Sequence, residues 1–223
     1  MYAEVLHLKN KTGMGPDKQT QIANLKRRLN DNCSAKSAAQ RLSSGTPQLD
    51  QALGGGFALG SLCEWGMPPG KQARQLLIKL LAHNQALCLW VYPDQDDSRV
   101  YPPAWAARGV NLNQTYFAKS SSPLTELRPA FLEQVFTIIV IDSFCCHGKD
   151  ELAFLSRQAR ALSAIIFLLR PYLLSHTKGN PFAKNRLNSW LNYRNSTFHI
   201  HLLRGHSPKS LKVPAAKRSC EHA

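Results

Sequence analysis

The central part of the chain alternates between short apolar runs and longer amphipathic segments. Four apolar runs have the length and composition of strands that are buried on both faces. They cover residues 61–65, 87–92, 136–141 and 165–169. Between them, leucines at helical spacing in 72–84 and an amphipathic pattern in 150–162 predict helices. Strands that alternate with helices predict an α/β fold, in which a mostly parallel sheet is covered by helices on both faces.

Weaker patterns add further elements to this series. We predict helices at 104–108 and 123–134 and a short strand at 115–118. Residues 171–189 combine glycine, proline and asparagine with basic side chains, which indicates a long basic loop. Residues 197–203 alternate between polar and apolar positions, so they predict a last strand at the edge of the sheet.

Charge is concentrated at the two ends of the chain. Of the net charge of +14, residues 1–41 carry +5, from eight basic and three acidic residues. Residues 171–223 carry +8, from nine basic residues and one acidic residue, whereas 42–170 are nearly balanced at +1. Basic ends on a neutral middle indicate a polyanion as partner, with nucleic acid as the first candidate and a solubilising surface as the alternative.

The composition of the ends also predicts the domain organisation. We expect a basic N-terminal helix at 17–29 and a polar linker after it, which together form a segment at 1–40. The core domain is predicted at 41–205. Ser, Pro, Lys and Ala dominate 206–223, which predicts a disordered basic tail.

The sequence lacks the signals of membrane, secreted and zinc-binding proteins. No apolar run approaches the roughly 20 residues that span a bilayer, and the N-terminus has no signal-peptide core. None of the six cysteines belongs to a Cys-x-x-Cys pair, and the cluster Cys145-Cys146-His147 offers too few metal ligands. We therefore predict a cytoplasmic protein with no metal site and no membrane contact.

A glycine-containing segment that matches part of a phosphate-binding motif follows the first of the buried strands. A P-loop has the pattern Gly-x-x-x-x-Gly-Lys-Ser/Thr, in which backbone N–H groups and the lysine hold phosphates and the hydroxyl binds Mg²⁺. Here Gly66, Gly70 and Lys71 stand between a strand and a helix, but three residues separate the glycines and Gln72 replaces the hydroxyl. Two prolines between the glycines remove two N–H donors. The segment is either a decayed nucleotide site with Gly66, Gly70 and Lys71 as ligands or a plain connection.

An aspartate and an arginine end two of the buried strands. Asp142 follows the strongest β-branched run, and an aspartate at this place in P-loop proteins helps to hold Mg²⁺. The alternative is that Asp142 caps the next turn. Arg170 follows the run at 165–169, where a guanidinium can contact an anion. Because ligands bind at the carboxyl ends of parallel strands, Asp142 and Arg170 join the loop as candidate nucleotide-binding residues.

The segment before the first strand resembles the entry to the RecA ATPase core. Residues 42–66 read Leu-Ser-Ser-Gly-Thr-Pro-Gln-Leu-Asp-Gln-Ala-Leu-Gly-Gly-Gly-Phe-Ala-Leu-Gly-Ser-Leu-Cys-Glu-Trp-Gly. Segments similar to later parts of that core follow in the same order, at 90–93, 109–111, 138–143 and 165–171. The resemblance covers roughly residues 20–205, and it implies a RecA-like fold of the P-loop type.

Within that superfamily the chain most resembles the ImuA group. The shared features are the degraded P-loop, a tryptophan strand followed by Tyr92-Pro93, a Phe-Leu-Leu-Arg-Pro strand end at 167–171 and a short basic C-terminus. The resemblance implies an accessory protein of error-prone translesion DNA synthesis after DNA damage, in the SOS response. The implied partners are a Y-family-like polymerase homologue and an error-prone replicative-type polymerase, with the RecA filament and single-stranded DNA as further candidates. SulA-type division inhibitors share part of this core and are the second group of relatives.

Three departures from the active recombinase pattern argue against ATP turnover. The loop is degenerate, and the catalytic glutamate expected after the second core strand is replaced by a turn with Asp94, Asp96 and Asp97. A carboxylate misplaced by ~1 Å lowers a rate on the order of a hundredfold. Arg170 replaces the polar sensor expected at the end of its strand. We therefore expect a non-catalytic adaptor and assign no catalytic residue or cofactor, with a divergent DNA-dependent ATPase using ATP and Mg²⁺ or a division inhibitor as alternatives.

The predicted basic loop occupies the place of the recombinase's DNA-binding loop. Lys178, Lys184 and Arg186 are its candidate phosphate contacts, and Phe182 or Trp190 can stack on bases. The alternative is a surface loop with incidental lysines, whose aromatic residues are docked on their own domain.

Overall fold

The structure is a computed structural model in which residues 40–93, 100–142, 148–204 and 210–215 are described. They belong to one compact unit, Gln40–Ala223. Several predictions fall on other residues and lie outside the described ranges. They concern the N-terminal helix at 17–29 with its linker, the acids Asp94, Asp96 and Asp97, and the cluster at 145–147.

The described residues form ten strands, five α-helices and two short 3₁₀ helices. The strands are β1 (Arg41–Leu42), β2 (Phe57–Ala58), β3 (Ser61–Gly66), β4 (Cys88–Tyr92), β5 (Thr115–Lys119), β6 (Ile138–Asp142), β7 (Ile165–Arg170), β8 (Asn185–Asn192), β9 (Thr197–Arg204) and β10 (Ser210–Pro214). The α-helices are α1 (Pro47–Ala52), α2 (Arg74–Asn84), α3 (Pro102–Ala106), α4 (Pro123–Glu126) and α5 (Lys149–Ala161). The 3₁₀ helices are Leu112–Gln114 and Arg128–Phe131.

Eight of these strands form one sheet in the order β10-β9-β8-β3-β7-β6-β4-β5. From β8 to β5 neighbouring strands run parallel, whereas β9 and β10 are added in antiparallel orientation. Leu77 of α2 packs with Trp65 in the hydrophobic core on one face of the sheet. Leu155 of α5 packs with Leu62 in the core on the other face. The predicted α/β fold, a mostly parallel sheet with helices on both faces, is confirmed.

Pro129 interrupts the helix that the sequence predicts at 123–134. The helix α4 ends at Glu126, and a 3₁₀ helix, Arg128–Phe131, takes the place of its continuation. A proline inside an α-helix removes a backbone hydrogen bond, and it disfavours helical backbone at the residue before it. The prediction is therefore wrong beyond the first turn.

The predicted basic loop at 171–189 is shorter than the sequence indicates, because β8 begins at Asn185. Asn185, Arg186 and Asn188 are all buried in this strand. Polar residues at buried positions hide the alternation of polar and apolar side chains by which a strand is recognised. The loop prediction is therefore wrong for 185–189.

The end of the chain also differs from its prediction. β9 does not form the edge of the sheet, since β10 pairs with it along its outer side. Leu211 and Val213 pack against the core, and Lys212 between them is exposed. Part of the segment 206–223, which the sequence predicts to be disordered, is thus an ordered edge strand. Two apolar residues among Ser, Pro, Lys and Ala give too short a pattern to indicate it.

Candidate functional site

The segment at 42–60 that carries the RecA resemblance is held together by Asp50. Its carboxylate accepts hydrogen bonds from the Ser43 hydroxyl at 2.5 Å and from the Ser44 N–H at 2.6 Å. Gly56 has a φ of 104°, and a Cβ at this position would lie 2.3 Å from a carbonyl oxygen of β1. The serines, the aspartate and the glycine therefore form a compact turn that leads into β3, so this part of the motif has a structural role.

The loop between β3 and α2 keeps the strand–turn–helix context of a P-loop but loses most of its N–H groups. Met67 donates its N–H to the carbonyl oxygen of Arg170 at 2.8 Å, and Lys71 donates to that of Pro68 at 3.4 Å. Pro68 and Pro69 have no N–H at all. Four of the five residues at 67–71 therefore offer no N–H to a phosphate.

The turn of this loop is attached to the end of β8. The Lys71 carbonyl oxygen accepts the N–H of Leu191 at 2.9 Å, and the Gly70 carbonyl oxygen accepts the Tyr193 hydroxyl. Gly66 is buried at the end of β3, whereas Gly70 and Lys71 are exposed. Lys71 therefore lies at the protein surface next to β8.

Asp142 lies at the carboxyl end of β6, where the sequence predicts it, and is bound by an arginine. Arg74 Nε donates to Asp142 Oδ2 at 2.8 Å, and Arg74 Nη2 donates to Oδ1 at 2.6 Å. The Asp142 side chain is 8% exposed. Bidentate pairs of this kind are among the strongest hydrogen-bonded contacts of a carboxylate. Both oxygens of the carboxylate that would help to hold Mg²⁺ therefore accept hydrogen bonds from the chain itself.

The arrangement does not fit a magnesium-bound nucleotide. The aspartate pairs with Arg74, Gln72 stands where the loop needs a hydroxyl, and most of the N–H groups of the loop are absent or engaged. The nucleotide-binding roles of Gly66, Gly70, Lys71 and Asp142 stay predictions. No step of a reaction is derived through them.

A buried carboxylate beside this loop binds two arginines from neighbouring strands. Arg170 Nε donates to Glu64 Oε1 at 3.0 Å, and Arg186 Nε donates to Glu64 Oε2 at 3.1 Å. All three side chains are at most 7% exposed. A buried carboxylate requires such partners, because burial of an unpaired charge is very unfavourable. The predicted contacts of Arg170 with a nucleotide and of Arg186 with DNA phosphates are not compatible with this burial.

The segment at 171–184 packs over the arginine of β8. Arg186 Nη2 donates to the carbonyl oxygens of Ser175 and Lys178, at 3.0 and 3.1 Å. Asn188 fixes the same segment, since its side chain bonds both the N–H and the carbonyl of Leu174, at 2.7 and 3.0 Å. The backbone of this segment is therefore part of the folded domain.

The other predicted DNA contacts are divided between the surface and the interior. The side chains of Lys178 and Lys184 are exposed, so their predicted phosphate contacts remain open to test. Phe182 packs against the core on the α5 face, as the alternative for this residue expects. Trp190 is partly exposed, and its side chain lies on the side of the sheet opposite to the core that α2 covers.

Glu64 and Arg74 are the important residues that sequence reasoning missed, and both leave a signal. Glu64 is a charged residue inside an otherwise apolar strand, so its burial requires partners. Arg74 begins a helix, where the macrodipole favours acidic side chains and opposes a cation. A residue type that is unfavourable at its position indicates a specific partner, although the sequence does not identify that partner.

Two further findings concern the described residues alone. Within these ranges, no three side chains of His, Cys, Asp or Glu come together as a metal site requires. None of the helices formed there is long and apolar enough to cross a membrane.

Comparison with known proteins supports the fold. No protein-family model and no curated protein matches the sequence. The structure is similar to the crystal structure of the RadB recombinase, with a TM-score of 0.59 and 19% sequence identity, over 77% of this chain and 93% of that chain. An identity this low shows the fold alone. Together with the sheet order and the strand–turn–helix loop, this likeness establishes that the chain has a RecA-like fold.

Proposed function

We propose that this protein is a RecA-like accessory factor of error-prone translesion DNA synthesis that does not hydrolyse ATP. It acts as an adaptor whose partners are a Y-family-like polymerase homologue and an error-prone replicative-type polymerase. Single-stranded DNA and the RecA filament are its further partners in this proposal. The resemblance to the ImuA group supports the pathway, and the geometry of the loop supports the lack of catalysis.

The observation that carries the proposal is the pair of hydrogen bonds between Arg74 and Asp142. In P-loop ATPases an aspartate at this place helps to hold Mg²⁺, which would supply positive charge for the phosphates. Here the guanidinium supplies positive charge at the same carboxylate without a nucleotide. The pair joins the end of β6 to the start of α2, which suits a frame that serves as a binding scaffold.

We expect the purified protein to hydrolyse no ATP above the level of its Lys71→Ala variant, with or without single-stranded DNA. The reason is that Asp142 is engaged and that four of the five residues at 67–71 offer no N–H to phosphates. Release of inorganic phosphate measures turnover, and Lys79→Ala, which removes an exposed lysine from the middle of α2, is the matched control. DNA-stimulated turnover that disappears in Lys71→Ala would show a working ATPase and contradict the proposal. Magnesium-dependent nucleotide binding that Asp142→Ala weakens would do the same.

We also expect the protein to form a complex with the Y-family-like polymerase homologue of the same organism in the absence of nucleotide. Because the ion pair of Arg74 and Asp142 already joins α2 to β6, such an adaptor needs no ATP to present its binding surface. Size-exclusion chromatography of the two co-expressed chains measures the complex, with and without ATP and Mg²⁺. Two separate peaks under both conditions, or a complex that forms only with ATP, contradicts the proposal.

A further inference from the structure

We infer that single-stranded DNA binds to the face of β8, β9 and β10 that carries Trp190, and that the segment at 171–184 is not its binding site. The inference rests on the DNA-binding part of the proposed function and gives it a location. It does not depend on the polymerase partners or on the absence of hydrolysis.

The three strands have one apolar face and a second, more polar face, which carries a group of aromatic and basic side chains. The apolar face belongs to the core on the α2 side and contains Leu187, Leu191, Phe198, Ile200, Leu202 and Val213. Because successive side chains of a strand point to opposite faces, the residues between them form the second face. There the strand register places Trp190, His199 and Lys212 in one row across β8, β9 and β10. His201 follows His199 in the next row of this face.

The histidines support the tryptophan as a stacking surface. The rings of Trp190 and His199 are nearly parallel, at 17°, with their centroids 5.6 Å apart. His201 meets Trp190 edge to face, with a centroid distance of 4.8 Å. All three residues are partly exposed. Unpaired bases stack on such aromatic platforms with little regard to sequence.

Cations lie beside this platform at the end of β8. Lys71, Arg194 and Tyr193 line an open concavity of about 380 Å³ together with Trp190. The hydrogen bond from the Leu191 N–H to the Lys71 carbonyl oxygen fixes the turn between β3 and α2 against β8. Lys71 and Arg194 are exposed, so each can contact a phosphate of a strand whose bases stack on Trp190.

The part of the sequence that forms β8, β9 and β10 contains no acidic residue. Between Glu151 and Glu221 the sequence contains twelve Lys or Arg and no acidic residue. Glu64 from β3 pairs with Arg170 and Arg186. The remaining charges give this end of the molecule a positive field that attracts a polyanion. Duplex DNA satisfies the charges but keeps its bases paired, so the stacking surface selects a single strand.

The first test distinguishes this face from the segment at 171–184 by removing the same number of positive charges from each. Anisotropy of a labelled oligothymidylate of about 20 nucleotides measures binding to the full chain and to three double variants. The double variants are Lys71→Ala with Arg194→Ala, Lys178→Ala with Lys184→Ala, and Lys79→Ala with Arg108→Ala as a control on the α2 side. Each removes two exposed cations.

We expect that only the Lys71/Arg194 double variant binds the oligonucleotide more weakly, with a dissociation constant raised tenfold or more. Loss of two phosphate contacts should also reduce the slope of log K against log salt by roughly 1.4. A greater loss in the Lys178/Lys184 pair assigns the site to the segment at 171–184 and overturns the inference. Equal losses in all three pairs indicate non-specific attraction and overturn it as well.

The second test uses the tryptophan itself. Trp65, Trp90 and Trp105 are buried, so quenching of tryptophan fluorescence by the oligonucleotide reports on Trp190. We expect quenching in the natural protein and none in Trp190→Phe, whose binding by anisotropy is largely retained because the ring remains. Trp190→Ala should weaken binding roughly 5- to 150-fold, with its circular dichroism spectrum checked for folding.

Other outcomes of these measurements contradict the inference. Quenching that persists in Trp190→Phe, or duplex DNA that binds as tightly as the single strand, excludes stacking on Trp190. If no oligonucleotide binds at all, the inference fails together with the DNA-binding part of the proposed function. The complex with the polymerase and the ATPase measurement then still test the adaptor role separately.

Discussion

Replacement of Glu64 by alanine is expected to lower the free energy of unfolding by about 3–5 kcal/mol, because it leaves Arg170 and Arg186 buried without their counter-charge. Both arginines donate to this one carboxylate, at 3.0 and 3.1 Å, and their side chains are 4% and 7% exposed. For a protein of this size the loss corresponds to a fall in Tm of roughly 6–20 °C. Urea unfolding followed by circular dichroism measures the free energy.

The matched control for this substitution is Glu133→Ala, which removes an exposed carboxylate. We expect only a small change there, since surface carboxylates contribute little to stability. If Glu64→Ala unfolds at the same urea concentration as Glu133→Ala, the buried charge cluster does not stabilise the fold in the way that its geometry indicates.

The position of this cluster also explains why two predicted binding residues are structural. Arg170 ends β7 and Arg186 is the second residue of β8, and these two strands flank β3 in the sheet. Glu64 therefore joins three neighbouring strands, and Arg186 extends the connection to the backbone at 175–178. A loss of DNA binding in an Arg186 variant would follow from misfolding, so that variant cannot locate the DNA.

The apolar strands were predictable because burial on both faces leaves a continuous pattern in the sequence. Residues 136–141 are all apolar except for one threonine, and β6 covers most of them. β8 and β10 gave no such pattern, for different reasons. In β8 the buried positions include Arg186 and Asn188, whose partners, Glu64 and Leu174, lie outside the strand. In β10 only Leu211 and Val213 contribute to an apolar pattern, and the strand forms by pairing with β9.

The location of the candidate site was predictable, but its internal contacts were not. Parallel strands bring their carboxyl ends to one edge, so Gly66, Asp142 and Arg170 were expected there. Arg74 and Asp142 are 68 residues apart in the sequence, and their hydrogen bonds depend on how α2 packs against the sheet. Lys71 matches the lysine of a P-loop in sequence, yet the bond from Leu191 directs its turn toward β8. Motif matching identifies residue types, whereas the partner of each residue follows from tertiary packing.

Substitution of Gly66 by alanine is expected to lower the free energy of unfolding by on the order of 3 kcal/mol, through overpacking and loss of hydrogen bonds. A Cβ on this residue would lie 2.2 Å from Asn188 Oδ1 and 2.7 Å from the carbonyl oxygen of Tyr172. Asn188 would have to leave its two hydrogen bonds with Leu174, and the backbone at 172–174 would have to shift. Gly66, the first glycine of the loop between β3 and α2, is thus required by the close approach of its own chain.

Gly148→Ala is the matched control for Gly66→Ala. Gly148 has an ordinary φ of −64°, and among the described residues the nearest atom to an added Cβ there lies at 4.0 Å. Gly70→Ala tests the second loop glycine, where φ is +72° and no atom of the residues that the structure describes lies within 4 Å of the added Cβ. Left-handed backbone at a non-glycine residue costs roughly 1–2 kcal/mol, so we expect an intermediate effect. Urea unfolding of the three variants should rank them as Gly66, Gly70 and Gly148, from the largest loss to the smallest. A Gly66→Ala variant that is no less stable than Gly70→Ala would contradict the close packing of the backbone at 172–174 against the end of β3. The loop would then have room for a ligand, and the approach of that ligand would explain its glycines.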